Sequence, residues 1–238
     1  MGDEPPKEKG MRRASVVMSL LVAGAAPLTS EAGSLDLRGG VFLPRTESNL
    51  FVDDAELYQR DGRTLKRSDW NNAIGGLRFN QGFGEFLEIG FSIDVYQRTL
   101  QTSYRDFVSE SGREIQQSLK LNIVPVGVEL RLGPTGRGRL SPYVAAGADL
   151  YFYKYEEFGD FIDFDDPSQP IIADSFISEG VAPGFHVAGG LRFPVGDDFS
   201  IVAEGRYQRA KDDMGDDFRG NSIDLSGASV TLGLNLRF

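Results

Sequence analysis

The sequence predicts an all-β protein: an eight-stranded antiparallel up-and-down transmembrane β-barrel. Three observations carry this. The last stretch, Ser226 to Phe238, alternates strictly. Ala228, Val230, Leu232, Leu234, Leu236 and Phe238 fall on one parity, and Gly227, Ser229, Thr231, Gly233, Asn235 and Arg237 on the other. It outlasts the about five or six residues usual in a soluble strand, and it suits a wall with lipid outside and a polar lumen inside. The connections between predicted strands alternate between short and long. No apolar run reaches the about 18 residues that a spanning helix needs.

An apolar content of 40% and a slightly negative mean hydropathy exclude a helical membrane bundle but not a barrel, in which every second residue can be polar. The chain has no cysteine, so disulfides and thiolate metal sites are excluded. Its net charge of −10 argues against nucleic acid as a partner.

Residues 1–32 read as an upstream extension plus a signal peptide, and 33–238 as the barrel. Met11, Arg12 and Arg13 precede the apolar run Ala14 to Leu28, and small residues follow it up to Ala32. That is the order of a secretory signal, with translation starting at Met11 and cleavage after Ala32. Ala23-Gly24-Ala25 is a second candidate cleavage site. The first 32 residues hold four acids and four bases, so their removal leaves the charge at −10.

The first strand spans about Ser34–Leu43, with Leu35, Leu37, Val41 and Leu43 on one face. The second spans about Trp70–Gln81, with Ala73, Leu77 and Phe79 outward, and the third about Glu85–Gln101, with Leu87, Ile89, Phe91, Ile93 and Val95 together. In the fourth, about Gln116–Leu132, the apolar parity is odd through Leu119, Leu121 and Ile123 and even from Val126 to Leu132. A β-bulge at Val124-Pro125 would produce that switch. The fifth strand spans about Ser141–Tyr155, with Val144 to Phe152 outward on even positions. The sixth spans about Gly180–Val195, the seventh about Phe199–Arg209, and the eighth is the terminal stretch.

The turns around Gly82-Phe83-Gly84, Gly133–Arg139 and Gly196-Asp197-Asp198 are short. The stretches of about Arg45–Asp69, Thr102–Ile115, Glu156–Glu179 and Ala210–Asn221 read as long loops. This is the asymmetry of bacterial outer-membrane barrels, with both termini on the short-turn side. Two aromatic bands fit the two lipid interfaces: Phe79, Phe83, Tyr143, Phe193, Phe199 and Phe238 near the short turns, and Trp70, Tyr96, Tyr104, Phe152, Tyr153 and Tyr207 near the long loops.

The run Ile123-Val124-Pro125-Val126-Gly127-Val128-Glu129-Leu130-Arg131, followed by Ser141-Pro142-Tyr143-Val144-Ala145-Ala146-Gly147, resembles the small outer-membrane barrel domain of the OmpA, OmpX and OmpW type. The resemblance covers essentially all of 33–238 in pattern, and its motifs identify architecture and not an activity. It implies residence in a bacterial outer membrane, with lipid and lipopolysaccharide as surroundings. It also implies an assembly machinery that recognises the terminal Phe238. The OmpW comparison implies a narrow path for small solutes or hydrophobic molecules, which no motif here demands.

Parity assigns the lumen six acids, Asp36, Glu88, Asp94, Glu129, Asp149 and Glu204, and six bases, Arg38, Arg78, Arg131, Arg192, Arg206 and Arg237, with His186 beside them. An eight-stranded barrel is just wide enough for side chains to fill. Its charges must pair or meet water. Paired, they close the lumen; solvated, they line a narrow channel. His186 is the only histidine, and its stretch GFHVAGG lacks the serine two residues on that lipid A deacylases of this shape carry. An enzyme is therefore not expected.

Glu156 to Glu179 holds eight acids and no base. Asp160, Asp163, Asp165 and Asp166 from this stretch, with Asp213, Asp216 and Asp217 from the next loop, could hold Ca²⁺ or Mg²⁺. Their spacing matches no EF-hand, and a solvated acidic rim explains them without a ligand. The function expected is structural or one of surface interaction, with partner unknown; a solute channel is the alternative, and a lipid A-modifying enzyme is further off.

Overall fold

The computed structural model describes residues 33–134, 140–164 and 166–238. The expected extension and signal peptide, most of the turn after the fourth strand, and Asp165 lie outside them. Eight strands form a closed antiparallel ring: β1 (Gly33–Pro44), β2 (Asn72–Phe83), β3 (Leu87–Val108), β4 (Glu114–Leu132), β5 (Ser141–Ile162), β6 (Ile171–Pro194), β7 (Phe199–Asp213) and β8 (Gly227–Arg237). Consecutive strands pair, and β8 returns to β1 with Leu35 opposite Leu236 and Val41 opposite Val230. Closure removes the unpaired edges that lipid could not satisfy.

The alternation read from the sequence sets the faces. Leu37, Phe91, Val144, Phe185, Ile201 and Leu232 point out and are exposed, while their neighbours point in. The bulge expected at Val124-Pro125 does not exist. Ile93 pairs with Val126 and Tyr96 with Ile123 in one unbroken register, and Pro125 sits opposite Tyr151 in another. Odd positions of β4 face inward along its whole length, so Leu119, Leu121 and Ile123 lie inside, fully buried. What switches at Pro125 is the chemistry of the interior and not the register.

The outer face shows the same boundary from strand to strand. Val95, Val124, Phe152, Val181 and Tyr207 end the unbroken outward apolar belt; the next outward positions are Gln97, Asn122, Lys154, Glu179 and Arg209. Gln97 pairs with Asn122, Asn122 with Lys154, and Lys154 with Glu179, so the polar positions form a continuous line around that part of the wall. Below the line, toward the short turns, the outside is apolar, as lipid requires. Above it the strands continue into water. The stretch Glu156–Glu179, expected as a loop, is the paired top of β5 and β6, with Ile162 opposite Ile171. Likewise β3 runs on to Val108 and β4 begins at Glu114.

Above the line the interior is apolar. Phe42, Trp70, Tyr96, Leu100, Tyr104, Leu119, Leu121, Ile123, Tyr151, Tyr153 and Tyr155 form one buried cluster there. Trp70, Tyr96, Tyr104 and Tyr153 were expected in the lipid-interface band; they face inward instead, as does Tyr143 at the other end. Of the band expected near the long loops, Phe152 and Tyr207 do point outward. The inward tyrosines need room. Tyr153 lies over Gly180 directly opposite, where a Cβ would come 2.6 Å from its hydroxyl, and Tyr143 covers Gly190 in the same way.

A helix, α1 (Asn49–Leu57), closes the cluster from the long-loop side. Leu50, Phe51 and Asp54 point inward, and Tyr58 continues the same face. Its first turn is tied to the last loop: the Asn49 amide oxygen accepts from the Ser222 backbone N–H at 2.7 Å and its hydroxyl at 2.9 Å. Phe51 meets Trp70 edge to face at 5.2 Å. Trp70 ends a short 3₁₀ turn, Arg67–Trp70, held by Asp69, which accepts from the Lys66 backbone N–H and from both Nη atoms of Arg63 at 2.7 and 2.9 Å.

Candidate functional site

All eight strands send charge into the lower lumen. The alternation that buries one parity of each strand buries all six predicted acids, all six predicted bases and His186, each by nine-tenths or more. Glu204 of β7 sits at one hub. It accepts from Arg78 Nη1 and Nη2, each at 2.7 Å, from Arg38 Nη1 at 3.1 Å, and from the Tyr143 hydroxyl at 2.8 Å. Arg38 also forks onto Asp94, with its Nε 2.9 Å from Oδ1. These contacts join residues from β1, β2, β3, β5 and β7 across the barrel axis.

A second hub surrounds His186 of β6. Its Nδ1 is 2.6 Å from Asp149 Oδ2 and 2.7 Å from Arg206 Nη2, and its Nε2 is 2.9 Å from Glu129 Oε2. Arg206 donates to Asp149 Oδ1 at 2.8 Å and the Tyr151 hydroxyl to Asp149 Oδ2 at 3.0 Å. Nearer the short turns, Arg192 makes a bidentate pair with Glu88 at 3.0 and 2.9 Å. Arg131 reaches Glu129 at 3.2 Å and Glu88 at 3.4 Å, with its guanidinium 4.2 Å over the Tyr143 ring. Asp36 accepts from Asn80 and Asn235 and lies 3.5 Å from Arg131. Arg237 is the least buried of the set. A cavity of about 10 Å³ between Asp36, Arg38, Arg78 and Glu204 has room for one water.

The arrangement sets six buried acids against six buried bases. Breaking one partner of such a network strands the other, so its members hold one another in place. His186 faces carboxylates on both ring nitrogens and points into the lumen, away from lipid.

The predicted metal residues are scattered. Asp160 is exposed on β5 and Asp163 follows its end. Asp166 accepts from the Ser168 backbone N–H and hydroxyl in the turn beyond. Asp213 ends β7, Asp216 starts a 3₁₀ turn, and Asp217 accepts from the Ile177 backbone N–H at 2.8 Å. Asp165 lies outside the described residues. Among the described residues, no group of three or more acids or histidines could hold a metal ion. The tops of β5 and β6 are paired strands, which spread alternate side chains over two faces instead of gathering them in a loop.

Phe238 is exposed on the outer wall at the short-turn end. Its ring stacks on Phe79 at 6.4 Å and its backbone N–H donates to Gly33 at 3.0 Å.

Sequence reasoning missed α1 and the carboxyl pair beneath it. Asp54 of α1 and Glu157 of β5 are both buried, and the Tyr155 hydroxyl lies 2.7 Å from the first and 3.1 Å from the second. Burial pushes both carboxyls above the usual carboxylate range, and for Asp54 the nearby Glu157 charge adds to this. The spacing Leu50, Phe51, Asp54, Tyr58 was the available signal for the helix, broken by an acid on its apolar face.

No protein-family model matches this chain, and no curated protein matches it. Solved structures do. The outer-membrane protein OprG from Pseudomonas aeruginosa aligns with a TM-score of 0.51 at 14% identity, over 87% of this chain and 97% of that one. Neisserial surface protein A aligns with a TM-score of 0.48 at 10% identity, over 88% and 98%. The attachment invasion locus protein Ail of Yersinia pestis aligns at 0.39 and 15%, over 87% and 97%. The chain has the fold of the small eight-stranded outer-membrane β-barrels.

Proposed function

We propose that this chain is an integral outer-membrane protein that works from its outer surface, with its lumen closed by paired charges. The observation that carries this reading is the height and chemistry of the β5–β6 hairpin. From Phe152 at the lipid line to Ile162, β5 rises through ten further residues, about 33 Å along the strand. Its tip joins that of β3: Phe107 and Phe164 meet at 5.5 Å, each beside Tyr104, and Val108, Ile171 and Ile172 are exposed nearby. Asp106, Glu110, Glu114, Asp160, Asp163, Asp166 and Asp174 flank this apolar tip, against Arg105 and Arg113. Exposed aromatics in an acidic rim fit a basic polypeptide partner with apolar anchors. The ion pairs of the lumen support the structural half of the reading, since they leave little room for a solute.

One observation favours the narrow channel as a second reading. β6 and β7 pair only as far as Gly184 opposite Ala210, although β6 continues upward to Ile171. Pro183, which has no N–H to donate, stands where the pairing stops. The wall there is held by the loop before β8 through Asp217 and Ile177 and not by a ladder. Single-channel recording of the folded barrel in a planar bilayer separates the readings. The surface reading expects no defined conductance; reproducible unit steps would establish a channel.

A further inference from the structure

Asp54 and Glu157 are acids that neither the lumen network nor the outer surface uses. Asp54 is 4% exposed and Glu157 6%. The Tyr155 hydroxyl oxygen lies between them, 2.7 Å from Asp54 Oδ2 and 3.1 Å from Glu157 Oε1, with one proton to donate. The Tyr58 hydroxyl donates to Glu157 Oε2 at 3.1 Å. The titratable groups acting on the pair are Asp53 from α1, Tyr58 from the strand that follows it, Tyr104 from β3 and Tyr155 from β5. All are neutral or negative, and among the described residues neither acid forms an ion pair with a Lys, Arg or His. The surroundings are apolar: Leu119 stands opposite Glu157, Trp70 and Phe218 lie against Tyr155, and Tyr104 against Tyr58. Two anions in such a place would be neither solvated nor compensated.

We propose that Asp54 and Glu157 form a proton latch that holds α1 in the mouth of the barrel and releases it when the pair loses its proton. With one proton held, the carboxyl pair is a neutral acid facing a single anion, and the two tyrosine hydroxyls satisfy that anion. Without it, two buried like charges sit on opposite sides of one contact, one on the helix and one on the wall. The helix is the part that can move. It is joined to the barrel by Arg45–Ser48 at one end and the short Tyr58–Arg60 strand at the other, and pinned otherwise by Asn49 to Ser222. The sign follows from linkage. Both carboxyls are raised in the closed form, so the closed form is most stable below the ordinary carboxylate range and loses that stability as pH rises through the raised values. The latch thus opens toward alkaline pH. It is independent of any surface partner and of whether the lumen conducts.

Trp70 reports on it directly. It is the only tryptophan, it is buried, and it packs on Phe51 of α1. The folded barrel in detergent micelles is titrated from about pH 5 to pH 9, around and above the ordinary carboxylate range. Tryptophan emission and acrylamide quenching are followed, and heat-modifiable mobility confirms that the barrel stays folded. The expected result is a reversible red shift and a several-fold rise in quenching as pH rises. Asp54→Asn and Glu157→Gln each remove the second charge and flatten the response. A barrel carrying Asn49→Cys and Ser222→Cys, oxidised to pin the helix, also stays flat and responds again after reduction. A wild-type Trp70 signal unchanged across the range, or a transition that persists in the pinned barrel, overturns the latch.

Discussion

The barrel below the lipid line and the barrel above it are built from the same strands in the same register, yet their faces are inverted. Below, Leu37, Phe91 and Leu232 meet lipid while Glu204, Arg78 and His186 fill the inside. Above, Lys120 and Lys154 each bridge to Glu156 on the outside while Leu119, Leu121 and Tyr155 pack within. The lesson is that period-two alternation specifies which residues share a face but not which face is the dry one. The surroundings decide that, and they change partway along each long strand. The two interiors also keep their acids differently. The lower one compensates carboxylates with guanidinium groups; the upper one holds the Asp54–Glu157 pair, which among the described residues forms no ion pair with a Lys, Arg or His.

That difference gives the largest expected effect. Glu204→Leu takes from buried Arg78 both of its 2.7 Å bonds and from Arg38 its contact beside Asp94, and should cost about 3–5 kcal/mol. Urea unfolding of the refolded barrel measures it. Glu157→Gln in the upper interior should instead leave stability unchanged or raise it at alkaline pH, because it removes an uncompensated charge. Equal losses from both would erase the distinction between the two interiors.

The next test concerns the outside. Leu232→Arg places a cation in the lipid belt and should cost about 2–4 kcal/mol. Gln97→Arg, two positions beyond Val95 at the end of the outward apolar belt of β3, should cost close to nothing. Unfolding midpoints of the two variants, compared in one lipid, check the position of the line.

Most of the lower half was legible in the sequence. Six acids, six bases and His186 were assigned to the lumen by parity alone, and all are inside, because in the lipid belt an outward charge is so unfavourable that polar means inward. The upper half was not. Trp70, Tyr96, Tyr104 and Tyr153 carry the signature of an interface belt but serve as core, since an aromatic suits either place. Leu119, Leu121 and Ile123 looked like a register slip at Pro125 because the same parity was assumed to stay polar. The helix α1 was hidden by its length, about two and a half turns, and by Asp54 on its buried face. The described acids named for a metal are spread apart because paired strands stand where a loop was expected.

The smallest expected effect lies in the first long loop and has the opposite pH sense to the latch. Hydrogen bonds from Arg63 hold the Asp69 carboxyl below its usual range. Its contribution is therefore present above the ordinary carboxylate range and lost as pH falls through the lowered value. Asp69→Asn should loosen the turn before Trp70 slightly and remove that acid dependence. Amide exchange at Lys66 and Asp69, measured from neutral to acid pH, checks it.

The inversion at the lipid line is tested most directly along β5. Nitroxide labels are placed one at a time at the outward positions Ala148, Leu150, Phe152, Lys154, Glu156 and Phe158 of the bilayer-reconstituted barrel. Their collision with oxygen, which partitions into lipid, is compared with collision with a water-soluble nickel chelate. The labels at positions 148, 150 and 152 should be oxygen-accessible and shielded from nickel, and the preference should reverse at Lys154 and stay reversed to Phe158. Lipid accessibility continuing past Glu156, or water reaching the label at Leu150, would contradict a barrel divided into these two zones.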